Sequence, residues 1–378
     1  PSGKLYSESS LNYATKTKIY VDLSQPGVED GYGFNIVAAG KQYKTSATLS
    51  DPRQSLAVRY QGRGGHDAVI EIGGVKHPVK LTLSALPGVG KSLAIGAVGP
   101  ASSMTLSSKS LWFTEPLKGA IASIGIYGQK LHEIPLAAGK TPLAIAAVFD
   151  EFPGRNDNPV DIAESGNVIG FVKTSGRITE YTVPTPNAGL YGISPGSQNV
   201  WFTERTAGKI GLLNLGGYFS EYNAPIGSTP ATIRDGMFTD PGLNGIGYVH
   251  SDGGVGEYRL PHPHSKPADI TNLPISPTAF WFTEASAARV GSVSPYDGRI
   301  HEYPTHAPLK NIAAGADLWV YATDTNGDIE MIAPSGEVTL MTQPVPGFSL
   351  IAIVAGRDHD LWVLASNATT SVIKEILY

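Results

Sequence analysis

The chain has 378 residues, a formal net charge of −5 and no cysteine, which excludes a disulfide framework, a thiolate metal site and a cysteine nucleophile. No apolar stretch reaches the length of about 18 residues that a membrane-crossing helix needs, so none is predicted. Residues 1–75 carry 8 Lys+Arg against 7 Asp+Glu and the remainder 20 against 26, and neither part has the basic stripe that nucleic-acid binding requires.

Residues 1–15 read as an irregular polar arm that orders only against a partner. Residues 19–23, 34–37, 56–60 and 68–72 read as strands, with turns at Gln25-Pro26-Gly27 and Asp51-Pro52. Residues 1–75 are therefore expected to form a small N-terminal β domain, β-sandwich-like. Gly73-Gly74 is a candidate hairpin turn into Val75 and beyond. Next, Ala85-Leu86-Pro87-Gly88-Val89-Gly90-Lys91-Ser92 fits the phosphate-loop spacing with Ala in first place. Such a loop needs a helix behind it to aim N–H groups at phosphates, and Gly96 with Gly99-Pro100 prevents one. The segment reads as a linker.

From there on the chain repeats. Trp-Phe-Thr-Glu begins at Trp112, Trp201 and Trp281, and each copy leads through an Ile-Gly or Val-Gly pair to a segment containing Glu-Ile-Pro or Glu-Tyr. Weaker copies begin at Val160 and Phe238, and Leu318-Trp319-Val320 and Leu361-Trp362-Val363 open the last two. An apolar run precedes each copy, starting at Leu93, Leu143, Tyr191, Ala231, Ala268, Lys310 and Ile351. Seven units of four short strands, at a period of about 43 residues, predict an all-β, seven-bladed β-propeller over residues 76–378. The last unit is one strand short, so the ring must borrow an N-terminal strand, and Val79-Lys80-Leu81-Thr82-Leu83 is the run expected to supply it.

The succession Trp-Phe-Thr-Glu, Lys-Ile-Gly, Gly-x-Ile-x-Glu-Tyr-x-x-Pro resembles the repeat of the virginiamycin B lyase family over residues 76–378. That resemblance implies a seven-bladed propeller closed by an N-terminal strand. It also implies a Mg-assisted elimination that opens a cyclic depsipeptide antibiotic, using a His in a Pro-His-Gly-Ile motif at the head of an innermost strand, with acidic residues nearby. The seven positions read here as heads hold Leu93, Leu143, Tyr191, Ala231, Ala268, Lys310 and Ile351, none of them His. A base that removes a carbon-bound proton must be a placed, titratable group, so the resemblance supports the fold and argues against the chemistry.

Glu115, Glu164, Glu204, Asp240 and Glu284 close the Trp strand in five units. They are candidates for a cation or a basic partner on one rim, but repetition favours a structural role, serving a turn or pairing with a following base such as Lys209 or Arg289. Phe149, Phe152 and Arg155 lie in an insertion that only one unit has, a candidate private contact surface. Pro261-His262-Pro263-His264 reads as an exposed loop without a third metal ligand, and His132 and His301 read as outward-facing outer-strand residues.

No catalytic residue, cofactor or metal is assigned. The expected function is a non-enzymatic structural or binding protein. Residues 1–75 would dock into a larger protein assembly, with a bacteriophage virion the assembly that fits, and the propeller would serve as interaction platform with a possible surface ligand. The alternatives are a diverged, metal-assisted lyase and an exported bacterial glycan-binding propeller. Pro1 is read as following a trimmed initiator Met, with a removed leader or tag as the other reading; the location is then the virion, else cytoplasmic, or secreted if a leader was removed.

Overall fold

The computed structural model describes residues 103–377 apart from 108–109, 127–129, 149–158, 197, 274–275, 316–317, 342–343, 357–359 and 368–369, together with residues 88–96 and strand segments between residues 4 and 82. The chain divides into two compact units, Pro1–Gly88 with Tyr378, and Val89–Leu377.

In the first unit seven strands pair antiparallel as one sheet: Lys4–Ser7, Thr17–Asp22, Asn35–Ala38, Lys41–Tyr43, Ser55–Tyr60, His66–Ile72 and Val75–Thr82. Lys4–Ser7 pairs with Thr17–Asp22, so part of the expected irregular arm is a strand. The hairpin across Gly73-Gly74 forms as its turn chemistry predicts, with Ile72 opposite Val75. The closing strand is not the run expected at residues 79–83. Val75–Thr82 is bonded to His66–Ile72 on one edge and to Asn35–Ala38 on the other, so it has no free edge with which to close a propeller.

The second unit is a propeller of seven four-stranded antiparallel sheets. Blades one to six span residues 104–135, 142–182, 190–223, 233–259, 267–304 and 309–341. Blade seven takes its inner three strands from residues 349–377 and its outer strand from Gly88–Gly96, which pairs with Ser371–Leu377. The closing strand is therefore the very segment that the phosphate-loop spacing and the expected linker fall on. Ile95 on it is buried against Trp362, Leu364 and Ile373 of blade seven and Met104 and Phe113 of blade one. Accordingly the innermost strand of blade one is Met104–Ser107, not the run at Leu93.

Each residue of the repeated motif has its own packing role. Phe113, Phe202, Phe238 and Phe282 are wholly buried, each contributing about 1.5–3 kcal/mol of apolar burial. Phe202 lies across from Gly211, where an added Cβ would fall 2.0 Å from the ring, and the same relation holds for Phe238 with Gly247 and Phe282 with Gly291. The Ile-Gly pair thus leaves the room that Phe fills. The Thr of the motif joins neighbouring blades. Thr203 Oγ1 accepts from Gly192 N at 2.8 Å within blade three and donates to Ala231 O at 2.7 Å in blade four. Thr239 and Thr283 repeat this toward Ala268 O and Lys310 O.

Candidate functional site

In blades two, three, five and six the head of the innermost strand lies beside the end of the second strand. Pro142 is paired with Glu164, Leu190 with Glu204, Pro267 with Glu284 and Leu309 with Asp324. The head positions and the repeated acids therefore share one rim. In blade one the register is set by the bond from Ser103 N to Thr114 Oγ1 at 2.8 Å, equivalent to that from Gly192 N to Thr203 Oγ1. Leu93 is therefore not the head in blade one, and the sequence between Leu93 and Met104 contains no histidine.

Glu115, Glu164, Glu204, Asp240 and Glu284 have no exposed surface. Asp240 serves a turn, accepting from Thr229 N at 2.9 Å, Gly242 N at 3.0 Å, Leu243 N at 3.2 Å and the Ser228 hydroxyl. Glu115 is bonded by Lys118 at 2.8 Å, Glu164 lies 3.6 Å from Lys140, and Glu284 is held by Arg289 through Nε at 3.2 Å and a terminal nitrogen at 3.1 Å. Glu204 departs from the expected pairing: the Lys209 ammonium goes to Thr185 Oγ1 at 2.8 Å and Glu221 at 3.2 Å, and neither Glu204 oxygen has a hydrogen-bond partner.

Sequence reasoning missed half of this arrangement. A second carboxylate on the outer strand lies beyond the cation, so that Lys118 also meets Glu133, Lys140 meets Glu180, and Arg289 lies 3.6 Å from Glu302. The signal was present in the Glu of each Glu-Ile or Glu-Tyr segment. A sixth rim acid, Asp324, accepts from Asn326 N at 2.8 Å and Asp328 N at 2.9 Å. It was legible in Thr323-Asp324, which repeats Thr239-Asp240.

Burial pushes the carboxyls of Glu115, Glu164 and Glu284 above the ordinary range, against the pull of their cations. For Glu204, burial together with the nearby charge of Glu221 raises the pKa to about 7, and for Glu257 burial and Asp240 do the same. A pKa near neutrality suits a general base, but a base must come within hydrogen-bond reach of its substrate, and Glu204 is inaccessible. Among the described residues no three His, Asp or Glu side chains are grouped so as to hold a metal ion. The donor set does not fit the magnesium that the family resemblance implies, because the rim carboxylates are enclosed and mostly held by lysine, arginine or backbone N–H.

His132 and His301 are exposed on outer strands, and residues 261–264 form an exposed loop in which His262 is bonded to Glu302. Phe149, Phe152 and Arg155 lie outside the described residues. At the heads, Tyr191 is 45% exposed with the Arg205 guanidinium 4.6 Å above its ring centroid, and Lys310 is exposed.

The model of the virginiamycin B lyase family matches residues 92–311. The chain belongs to that family. Among solved structures, a streptogramin B lyase is similar at 25% identity and a TM-score of 0.66, over 76% of this chain and 97% of that one. A catalytically inactive His-to-Ala variant of Staphylococcus aureus virginiamycin B lyase with quinupristin is similar at 25% identity and a TM-score of 0.66, over 76% and 99%. The WD40 propeller domain of Doa1, at 10% identity and a TM-score of 0.57 over 76% and 97%, shares the fold alone. No curated protein matches this chain.

Proposed function

We propose that this virginiamycin B lyase-like propeller is a non-enzymatic binding protein, attached to a larger protein assembly through residues 1–75. The observation that carries the reading is the set of seven strand heads, none of which is His. A lyase relative loses activity when a single His becomes Ala. The enclosure of the rim acids supports the same reading, since a carboxylate committed to an internal cation is not free for chemistry at the surface. A separate N-terminal sheet ahead of the closing strand gives an attachment point outside the blades. A bacteriophage virion is the assembly proposed, with the propeller projecting from it.

The test has two arms. Purified protein incubated with quinupristin and Mg²⁺ is expected to leave the antibiotic cyclic, and turnover above a buffer control overturns the non-enzymatic reading. Limited proteolysis is expected to cut residues 1–15 outside the paired strand Lys4–Ser7 quickly in the isolated chain and to spare them in the assembly. Equal cutting in both overturns the attachment.

A further inference from the structure

An asparagine followed by glycine exposes its side-chain amide to attack by the next backbone nitrogen, because glycine has no Cβ to shield that nitrogen. The chain holds two such pairs, Asn244-Gly245 and Asn326-Gly327. Both lie between the second and third strands, in blades four and six, just after the rim acids Asp240 and Asp324. The fold treats them in opposite ways.

In blade four both reacting groups are engaged. Asn244 Nδ2 donates to His262 O at 2.8 Å, and its Oδ1 accepts from Lys266 N at 3.1 Å. Gly245 is buried in the sheet, opposite Asp240 on one side and Arg259 on the other. Attack there requires that two side-chain hydrogen bonds break and that the start of a strand leave its ladder.

In blade six neither group is engaged. Asn326 is exposed, and among the described residues no hydrogen bond holds its side-chain amide or the Gly327 N–H. The pair borders an open groove of about 310 Å³ with Pro346, Phe348 and Ser366, so water has room to reach it. The bonds that close the turn pass both groups by. Asp324 N donates to Asp328 O at 3.1 Å, and Asp324 Oδ1 accepts from Asn326 N at 2.8 Å and Asp328 N at 2.9 Å.

We propose that Asn326 is a site of spontaneous deamidation in the folded protein, with water as the co-reactant. The Gly327 nitrogen attacks Cγ of Asn326. A C–N bond forms, the Gly327 amide proton is given up, and Nδ2 leaves as ammonia, which closes a five-membered succinimide. Water then opens the ring at one of its two carbonyls. Opening at Cγ gives aspartate, and opening at the main-chain carbonyl gives isoaspartate, whose chain runs on through Cβ and Cγ. Both steps are acyl substitutions, and nothing is oxidised or reduced.

Either product adds a negative charge beside Asp324, whose Oδ2 is buried with no hydrogen-bond partner among the described residues. Isoaspartate also lengthens the main chain by one carbon between the nitrogens of residues 326 and 328. Those are the two donors to Asp324 Oδ1, so a single oxygen no longer spans both and the turn of blade six loosens. The inference is independent of the binding-protein reading.

The test incubates the full folded chain at mildly alkaline pH in heavy-oxygen water and follows the peptides containing the two pairs by mass spectrometry. The label excludes conversion during digestion, and an isoaspartate methyltransferase scores the isoaspartate fraction. Conversion at Asn326 is expected to be at least about tenfold faster than at Asn244, because only Asn244 must first lose its hydrogen bonds. In urea the two should convert at similar rates. Asn326→Gln should abolish the faster reaction and keep the parent's thermal midpoint, since the side chain it replaces is exposed. The isoaspartate form, separated by anion exchange, should melt below Asn326→Asp, which adds the charge without lengthening the chain. Equal rates in the folded chain, a rate difference that persists unchanged in urea, or no label at residue 326 overturns the proposal. An isoaspartate form that melts together with Asn326→Asp overturns the loosening of the turn.

Discussion

The ring of Tyr303 in blade five lies against Gly336 in blade six, so close that a Cβ at residue 336 would sit 2.1 Å from two ring carbons. Tyr181 with Gly217, Tyr222 with Gly253 and Tyr258 with Gly298 repeat the relation between successive blades. The Tyr of each Glu-Tyr segment is thus a knob, and the turn of the following blade carries the flat spot that receives it.

Gly336 also has a φ of +87°, where an L side chain is strained. Gly336→Ala therefore meets two penalties, one from backbone conformation and one from overpacking, together about 2–4 kcal/mol. A urea-denaturation midpoint well below the parent's is the expected result. An unchanged midpoint would show that neighbouring blades slide freely past one another.

Much of this was legible in the sequence because the propeller repeats its devices. The Trp-Phe-Thr-Glu copies fixed the period, the acid after Thr marked the rim, and the Gly opposite Phe marked the third strand in blades three to five; in blade one Phe113 faces Ala122, so Ile124-Gly125 misplaces that register. Legibility fails where a blade departs from the pattern. In blade six the second strand is Val320–Asp324, which puts Tyr321 in the Trp position, so the nearby Trp319 misplaces the register. There Ala322 replaces Phe, and the residue opposite is Glu330, buried and bonded by His306 N and Nδ1, both at 2.8 Å. Closure fails for another reason. Residues 79–83 and 88–96 are both strand-like, and only the long-range pairing of Val75–Thr82 with Asn35–Ala38 decides between them. The approach of the Arg205 guanidinium to the Tyr191 ring was likewise invisible, since it joins a strand residue to one in the turn after the next strand.

Closure gives a truncation experiment. Removing residues 1–87 leaves Gly88–Gly96 paired with Ser371–Leu377, whereas removing residues 1–96 strips blade seven of its outer strand and Ile95 from its core. The shorter deletion should melt cooperatively near the parent's propeller transition. The longer one should melt lower or aggregate through the bare edge. Equal behaviour of the two deletions would mean that the ring does not depend on this strand.

The buried carboxyls make stability fall as pH rises. Glu204 and Glu257 have folded pKa values raised to about 7 from an ordinary 4.5, by burial first and a neighbouring carboxylate second. A group whose folded pKa is raised binds its proton more tightly in the native state. Its contribution is complete below the unfolded pKa and is lost as pH climbs through the folded one. The thermal midpoint should therefore decline between pH 4.5 and 7 from these two groups. Glu204→Gln should flatten part of that decline and exceed the parent by about 1–3 kcal/mol at alkaline pH. A variant that tracks the parent at every pH would place the Glu204 proton elsewhere.

Thr203 offers the sharpest test of what holds one blade to the next. Its hydroxyl is fully buried, accepts from Gly192 N at 2.8 Å and donates to Ala231 O at 2.7 Å, so one oxygen satisfies backbone groups of two blades. Thr203→Val keeps the volume and β-branching but leaves a buried N–H and a buried C=O unpaired, at a cost of about 2–4 kcal/mol for the two groups. Thr203→Ser keeps the oxygen and loses only a methyl group, about 1 kcal/mol. Chemical denaturation should rank the parent first, Ser close behind and Val clearly last. If Val proves as stable as Ser, the hydroxyl is not what joins the blades, and the repeated Thr must instead be explained by strand packing alone.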